Sequence, residues 1–156
     1  LALRLDVKEN ILAGIVPELT EKGVYNEKGG FERMYRLMEE LSIYPPDPTR
    51  VVGNLSGGNQ QKVLLAKWMA LDPKVLILDE PTRGVDIGAK MTIHESIEQL
   101  ANNGSTIILI SSDLPELVSL SNRILIMRQG HFIHEMQKSE CSEESVLLAA
   151  NGEGVQ

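Results

Sequence analysis

The sequence predicts an α/β fold, with a largely parallel sheet joined to a mostly helical piece that precedes it. Two observations carry this. From Lys74 onward, short apolar runs alternate with stretches of helical periodicity, the order in which parallel sheets are built. Before Lys74, apolar residues recur every three or four positions, with no strand-like alternation. The expected organisation is a helical part over about 1–72 and an α/β part over about 73–156.

In chain order, Asp6-Val-Lys-Glu9 resembles a capping box and predicts a short helix through Ala13. Residues 14–29 contain Gly14, Pro17, Gly23 and Gly29 and read mostly as loop. Phe31, Met34, Tyr35, Met38 and Leu41 share one helical face, so 30–42 reads as an amphipathic helix ended by Pro45, Pro46 and Pro48. A second helix is expected over about 57–71. Val63, Ala66 and Ala70 form one stripe on it, with Leu64, Trp68 and Leu71 beside them, and Asp72-Pro73 closes it. Val75 to Asp79 is a continuous apolar run ending in a carboxylate, as in a parallel strand covered on both faces. Residues 87–101 place Ile93, Ile97 and Leu100 on one helical face, with Gly104 as a cap just beyond. Residues 105–110 form the next strand. Asp113 caps a short helix through Leu120, with Pro115 in its first turn. Residues 123–127 and 131–135 flank Gln129-Gly130 as a hairpin, and Ser142 starts a final helix that stops at Asn151-Gly152.

Composition narrows the function classes. A net charge of −7 and a pI near 5.0 argue against a nucleic-acid binder, which needs a basic face to neutralise phosphates. A nucleoside triphosphate is not excluded, because a few oriented N–H groups and a cation suffice to hold one. The single cysteine, Cys141, allows no internal disulfide and fits a reducing compartment. The apolar runs are too short to cross a bilayer, and no secretory signal opens the chain. The first residue is Leu1 rather than Met, which is expected of an internal fragment.

Two motifs point to chemistry. Ser56-Gly57-Gly58-Asn59-Gln60 opens a helix. Glycines let backbone approach a ligand, and free N–H groups at a helix start attract an anion. An ordinary capped turn has the same composition. Asp79-Glu80 ends an apolar strand, where open α/β sheets bind ligands. One carboxylate there can hold Mg²⁺ while the next polarises water. A solvated acidic turn is the plain alternative. The histidines add little: His131 and His134, an odd number of residues apart on one strand, are expected to face opposite sides, and His94 lies in a helix without ligand spacing.

Taken together and in this order, LSGGNQQKV at 55–63, VLILDEPTRGVDIGAK at 75–90 and ISSDLPELVSLSNRILIM at 110–127 closely resemble the second cassette of tandem ATP-binding cassette (ABC) ATPases that energise bacterial monosaccharide importers. LRLDVKENIL at 3–12 resembles the segment after the glutamine-loop region of that subfamily. The resemblance implies part of a P-loop NTPase fold of the ABC type, with ATP and Mg²⁺ as cofactors. It makes Ser56, Gly57, Gly58, Asn59 and Gln60 the signature element that contacts the γ-phosphate of ATP held by an opposite cassette. Asp79 becomes the Mg²⁺-binding Walker B aspartate, Glu80 the catalytic carboxylate, and Asp86 the D-loop aspartate at the cassette interface. Residues 1–50 become a helical subdomain that touches a membrane permease. The implied partners are a first cassette of the same transporter, permease subunits and, indirectly, a periplasmic sugar-binding protein. The implied location is the cytoplasmic face of the bacterial inner membrane.

Two departures shape these expectations. Where most cassettes place a γ-phosphate-sensing histidine, this chain has Ser112, which cannot supply imidazole chemistry. No G-x-x-x-x-G-K-[ST] phosphate loop occurs in the sequence. The chain alone is therefore expected to hydrolyse no ATP. It is also expected to leave unpaired backbone where the phosphate-loop strand lies in relatives, and to dimerise or borrow a strand. A soluble ABC ATPase of translation or repair, or a non-catalytic interaction fragment, are the alternatives.

Overall fold

A computed structural model of the chain describes residues 1–17, 19–21 and 24–152. Gly23, expected in a loop, and residues 153–156, expected at the end of the α/β part, lie outside the described residues. The chain divides into two units: Leu1–Leu76 with Pro81–Ile108, and Ile77–Glu80 with Leu109–Gln156.

In the first unit, α1 (Val7–Leu12) starts with the expected capping box. Asp6 Oδ1 accepts from the Glu9 N–H at 2.7 Å, and Glu9 Oε2 accepts from the Asp6 N–H at 3.0 Å. The stretch expected as loop contains a minimal antiparallel pair, β1 (Thr20–Glu21) with β2 (Val24–Tyr25). Helix α2 (Glu27–Glu40) begins three residues before its expected start, because Asn26 caps it through the Gly29 N–H at 3.0 Å. Its prolines do not end it. Ser42, at φ 47°, donates its N–H to Glu39 O, and the Ile43 N–H reaches Met38 O, both at 2.9 Å. This double bond pattern closes the helix before any proline is reached.

Helix α3 (Gly57–Met69) packs against α1 and α2, and against α4 (Ile87–Asn102). Val63, Ala66 and Ala70 are buried as expected. The adjacent buried positions, however, are Lys62, Leu65 and Met69. Trp68 is exposed and Leu64 and Leu71 are half-buried, because three neighbouring helices rotate the covered stripe away from them. Helix α4 buries Ile93, Ile97 and Leu100 and ends before Gly104 at φ 100°, as the pattern predicts.

Strands β3 (Val75–Asp79) and β4 (Thr106–Ile110) pair in parallel. The Thr106 N–H bonds Lys74 O at one end and the Glu80 N–H bonds Ile110 O at the other, both at 2.8 Å. The expectation of a strand covered on both faces is corrected: Leu76 and Leu78 are buried, whereas Val75 is 57% and Ile77 62% exposed. On β4, Ile108 and Ile110 are also exposed. An apolar run reports that both faces tolerate burial, not that this chain covers both. Among the described residues β4 bonds to β3 and β5 to β6, and no bond joins β4 to β5.

In the second unit, α5 (Leu114–Leu120) is capped by Asp113 and carries Pro115 in its first turn. Strands β5 (Arg123–Arg128) and β6 (His131–Gln137) form the expected hairpin. Its turn residues Gln129 and Gly130 have φ of 51° and 81°, the handedness that two-residue hairpins prefer. Helix α6 (Glu143–Asn151) runs from the Ser142 cap to Gly152 at φ 82°. Ile124, Ile126 and Met136 pack on Val146 and Ala149, with Leu114, Leu117, Val118 and Cys141 around them. The expectation for His131 and His134 fails. A bulge shifts the register between Ile126 and Met127, so His134 pairs with Ile126 and His131 with Arg128. One extra residue in β6 puts both histidines on the same hairpin face.

Candidate functional site

The first constellation lies at the start of α3. Ser56 is the extended N-cap residue (φ −61°, ψ 156°) and is exposed. Its Oγ accepts from the Asn59 N–H at 3.4 Å and from Asn59 Nδ2 at 3.0 Å. Asn59 Oδ1 accepts from the Tyr44 N–H at 2.8 Å, and Gln60 Nε2 donates to Leu55 O at 3.0 Å. The first N–H groups of a helix lack intrahelical acceptors. Ser56 takes that of Asn59, leaving those of Gly57 and Gly58 at the open end.

The two glycines serve different ends. A Cβ on Gly57 would meet nothing within 4 Å. On Gly58 it would stand 2.9 Å from Ala89 Cβ and 3.2 Å from Asp86 Oδ2. Gly58 therefore lets α3 approach the start of α4, where Asp86 caps the helix by accepting from the Ala89 N–H at 2.9 Å. The close approach brings Asp86 beside the glycine turn, although many residues separate them in sequence.

The second constellation belongs to the other unit. Asp79 is exposed at the end of β3, and Glu80 follows at φ 49°, a left-handed conformation costly for a residue with a side chain. Glu80 is pinned by main chain at both ends. Its N–H donates to Ile110 O, and its Oε1 accepts from the Ser112 N–H, each at 2.8 Å. Position 112 thus reaches the carboxylate through backbone, a contact that inspection of side chains alone missed. Among the described residues no three His, Cys, Asp or Glu groups converge as a metal site. Asp79 offers one carboxylate, which fits Mg²⁺ where phosphate oxygens and water fill the remaining positions.

Elsewhere, Thr49 holds the exposed Asp47 carboxyl below its ordinary range, through its hydroxyl first and its backbone N–H second. A depression on α2 is lined by Glu27, Lys28, Phe31, Glu32 and Tyr35 and includes no motif residue. Both motifs lie on open surface.

The fold is that of part of a P-loop NTPase of the ABC ATPase type, α/β with a small parallel sheet and helices. The family model described as "ABC transporter" matches residues 2–83, more than half of the sequence, and the chain belongs to that family. It is 43% identical over 152 residues to "Ribose import ATP-binding protein RbsA" of Lactococcus lactis subsp. lactis (strain IL1403), covering 97% of this chain and 31% of that protein. It is 42% identical over 148 residues to "Xylose import ATP-binding protein XylG" of Thermoanaerobacter pseudethanolicus, covering 95% of this chain and 29% of that protein. The chain thus spans about a third of the length of these curated relatives. Among solved structures, it resembles the ATP-binding cassette MJ0796, described as a dimer in a post-hydrolysis state bound to ADP and Pi. The TM-score is 0.76 at 20% identity, over 87% of this chain and 58% of that one. The ADP conformation of MJ1267, an ATP-binding cassette of an ABC transporter, aligns with a TM-score of 0.69 at 23% identity, over 96% of this chain and 60% of that one. At these identities the two structures speak for the fold.

Proposed function

We propose that this chain is part of the ATP-hydrolysing subunit of an ABC transporter that imports a sugar. The carrying observation is 43% identity over 97% of the chain to a ribose import ATP-binding protein, across all the motif residues. The geometry is compatible with the roles assigned by resemblance. Ser56, Gly57 and Gly58 form an exposed, glycine-opened helix start suited to a phosphoryl group from an opposite cassette, with Asn59 and Gln60 bracing it. Asp86 stands beside it, as a residue at a cassette interface must. Asp79 holds Mg²⁺ and Glu80 orients the attacking water.

In this reading the helical part, residues 1–72, faces the membrane permease and residues 73–156 belong to the ATPase core. The protein works at the cytoplasmic membrane face, and a periplasmic sugar-binding protein delivers the substrate. Nucleic acid has no role. The exposed Val75, Ile77, Ile108 and Ile110 are surface for another part of a cassette, or for a second copy when the chain is isolated. Without a phosphate loop, the 156 residues alone turn over no ATP.

The test is purification of the intact protein with its neighbours. It should retain permease subunits through detergent extraction, and its ATP turnover should rise with sugar-loaded binding protein. A protein that washes off membranes without a permease, and whose turnover ignores sugar, would remove this reading.

A further inference from the structure

The amide of Asn59 occupies a position whose chemistry leaves one orientation. The Tyr44 N–H can only donate, so the atom it meets at 2.8 Å is the carbonyl oxygen of the Asn59 amide. The Nδ2 group is then the part that faces Ser56 Oγ at 3.0 Å, and it can only donate. The Asn59 backbone N–H is directed at the same oxygen at 3.4 Å. Ser56 Oγ therefore accepts from Asn59 twice. A hydroxyl has two lone pairs and one proton, and here only the proton remains to be used.

We infer that Asn59 is a positioning residue for the Ser56 hydroxyl, turning a group able to donate or accept into a directed donor for an anionic oxygen. The inference rests on the proposal above that Ser56 meets a phosphoryl group. It adds that the fifth residue of the turn acts on the ligand through the serine.

The same amide reaches further. One turn along α3, Lys62 Nζ donates to Ser42 O at 3.2 Å, and Ser42 is the left-handed residue that closes α2. Asn59 and Lys62 thus clasp the 42–44 segment to the helix that carries Ser56. A displacement of the end of α2 would withdraw the Tyr44 N–H, free the Asn59 amide to turn, and release Ser56 from its donor role. The phosphate-facing hydroxyl is in this way linked to the position of α2 by a single side chain.

Asn59→Asp separates the two arms. The carboxylate still accepts from the Tyr44 N–H, so the clasp is kept. It cannot donate to Ser56, whose hydroxyl then turns inward onto it. In the intact transporter, Ser56→Ala and Asn59→Asp should each lower ATP turnover about tenfold, the worth of one hydrogen bond to a charged group. The double variant should also be down about tenfold, rather than about a hundredfold, because both changes remove one contact. Asn59→Ala, which adds no charge, should follow the same rule and serves where Asn59→Asp does not assemble. Asn59→Gln, which keeps donor and acceptor, should recover turnover.

A clasp with no effect on Ser56 gives a different result. Asn59→Asp would then stay within about twofold of the parent while Ser56→Ala falls, or the two losses would multiply. Either outcome overturns the inference and leaves the ATPase proposal standing. Ser56→Ala within about twofold of the parent would overturn the signature assignment, and this inference with it.

Discussion

The turn at Ser56 and the strand end at Glu80 are held in place by different means. Around Ser56 the fixing bonds come from side chains: Asn59 to the serine and to Tyr44, Gln60 to Leu55, Lys62 to Ser42. At Glu80 the bonds come from main chain, Ile110 O on its N–H and the Ser112 N–H on its carboxylate, and the residue sits in a left-handed conformation. The first arrangement depends on which residues are present. The second tolerates substitution at position 112, since any residue but proline brings an N–H. This bears on the missing histidine: Ser112 lacks imidazole, yet the position still supplies a donor to Glu80.

The largest effect that sharpens this contrast comes from Ser56→Arg against Glu80→Gln in sugar uptake by the complete transporter. Arg at an open phosphate-facing turn misplaces the partner's triphosphate and should reduce transport by about a hundredfold. Glu80→Gln should cost less, because the site that Glu80 serves lacks the usual histidine. A larger loss from Glu80→Gln would reverse the assignment of which half matters.

Next comes position 112. Ser112→Ala keeps the N–H and should leave ATP turnover within about twofold of the parent, whereas Ser112→Pro removes a hydrogen bond to a carboxylate worth roughly 1.5–3 kcal/mol and should lower turnover at least tenfold. Equal losses in the two variants would show that the serine hydroxyl carries the contact.

A smaller effect separates the two glycines. Gly58→Val would overpack the contact with Ala89 and Asp86 and should cost about 1–3 kcal/mol in urea or thermal unfolding of the intact protein. Gly57→Ala meets open space and should change stability by less than about 0.5 kcal/mol, so any loss of ATP binding there reads as a ligand contact. Equal destabilisation would remove the distinction between a packing glycine and an open one.

The smallest effect concerns Asp47, whose carboxyl Thr49 holds below its ordinary range. The folded form has the lower pKa. The stabilisation is therefore complete above the unfolded carboxylate's pKa and is lost as pH falls through the lowered folded value. Asp47→Asn should flatten that acid limb slightly. An unchanged pH profile of the melting temperature would show that the exposed turn contributes nothing.

Local devices were read from the sequence with little loss. The Asp6-Glu9 box, the Asp113 and Ser142 caps, the Gly104 and Gly152 stops and the Gln129-Gly130 hairpin turn all occur where expected. Each depends on hydrogen bonds or backbone angles within a few residues, so the information is contiguous in the chain. The errors occur where a distant element decides. Trp68 was placed beside the buried stripe of α3, but the helices packing there cover Leu65 and Met69 instead. The β6 bulge reversed the expected relation of two histidines, and Ser42 closed α2 ahead of the prolines that were expected to do so.

By itself, then, the sequence determined the succession of helices and strands, the glycine turn at 56–60, the carboxylates at 79 and 80, and their membership of the ABC transporter family. Tertiary structure alone decided that Gly58 packs while Gly57 stays open, that Asp86 stands beside them, and that Asn59 faces both Ser56 and the Tyr44 backbone. The physical reason is range. Caps and turns are settled by neighbours along the chain, whereas burial and the partner of a polar group are settled by whichever surface folds against it.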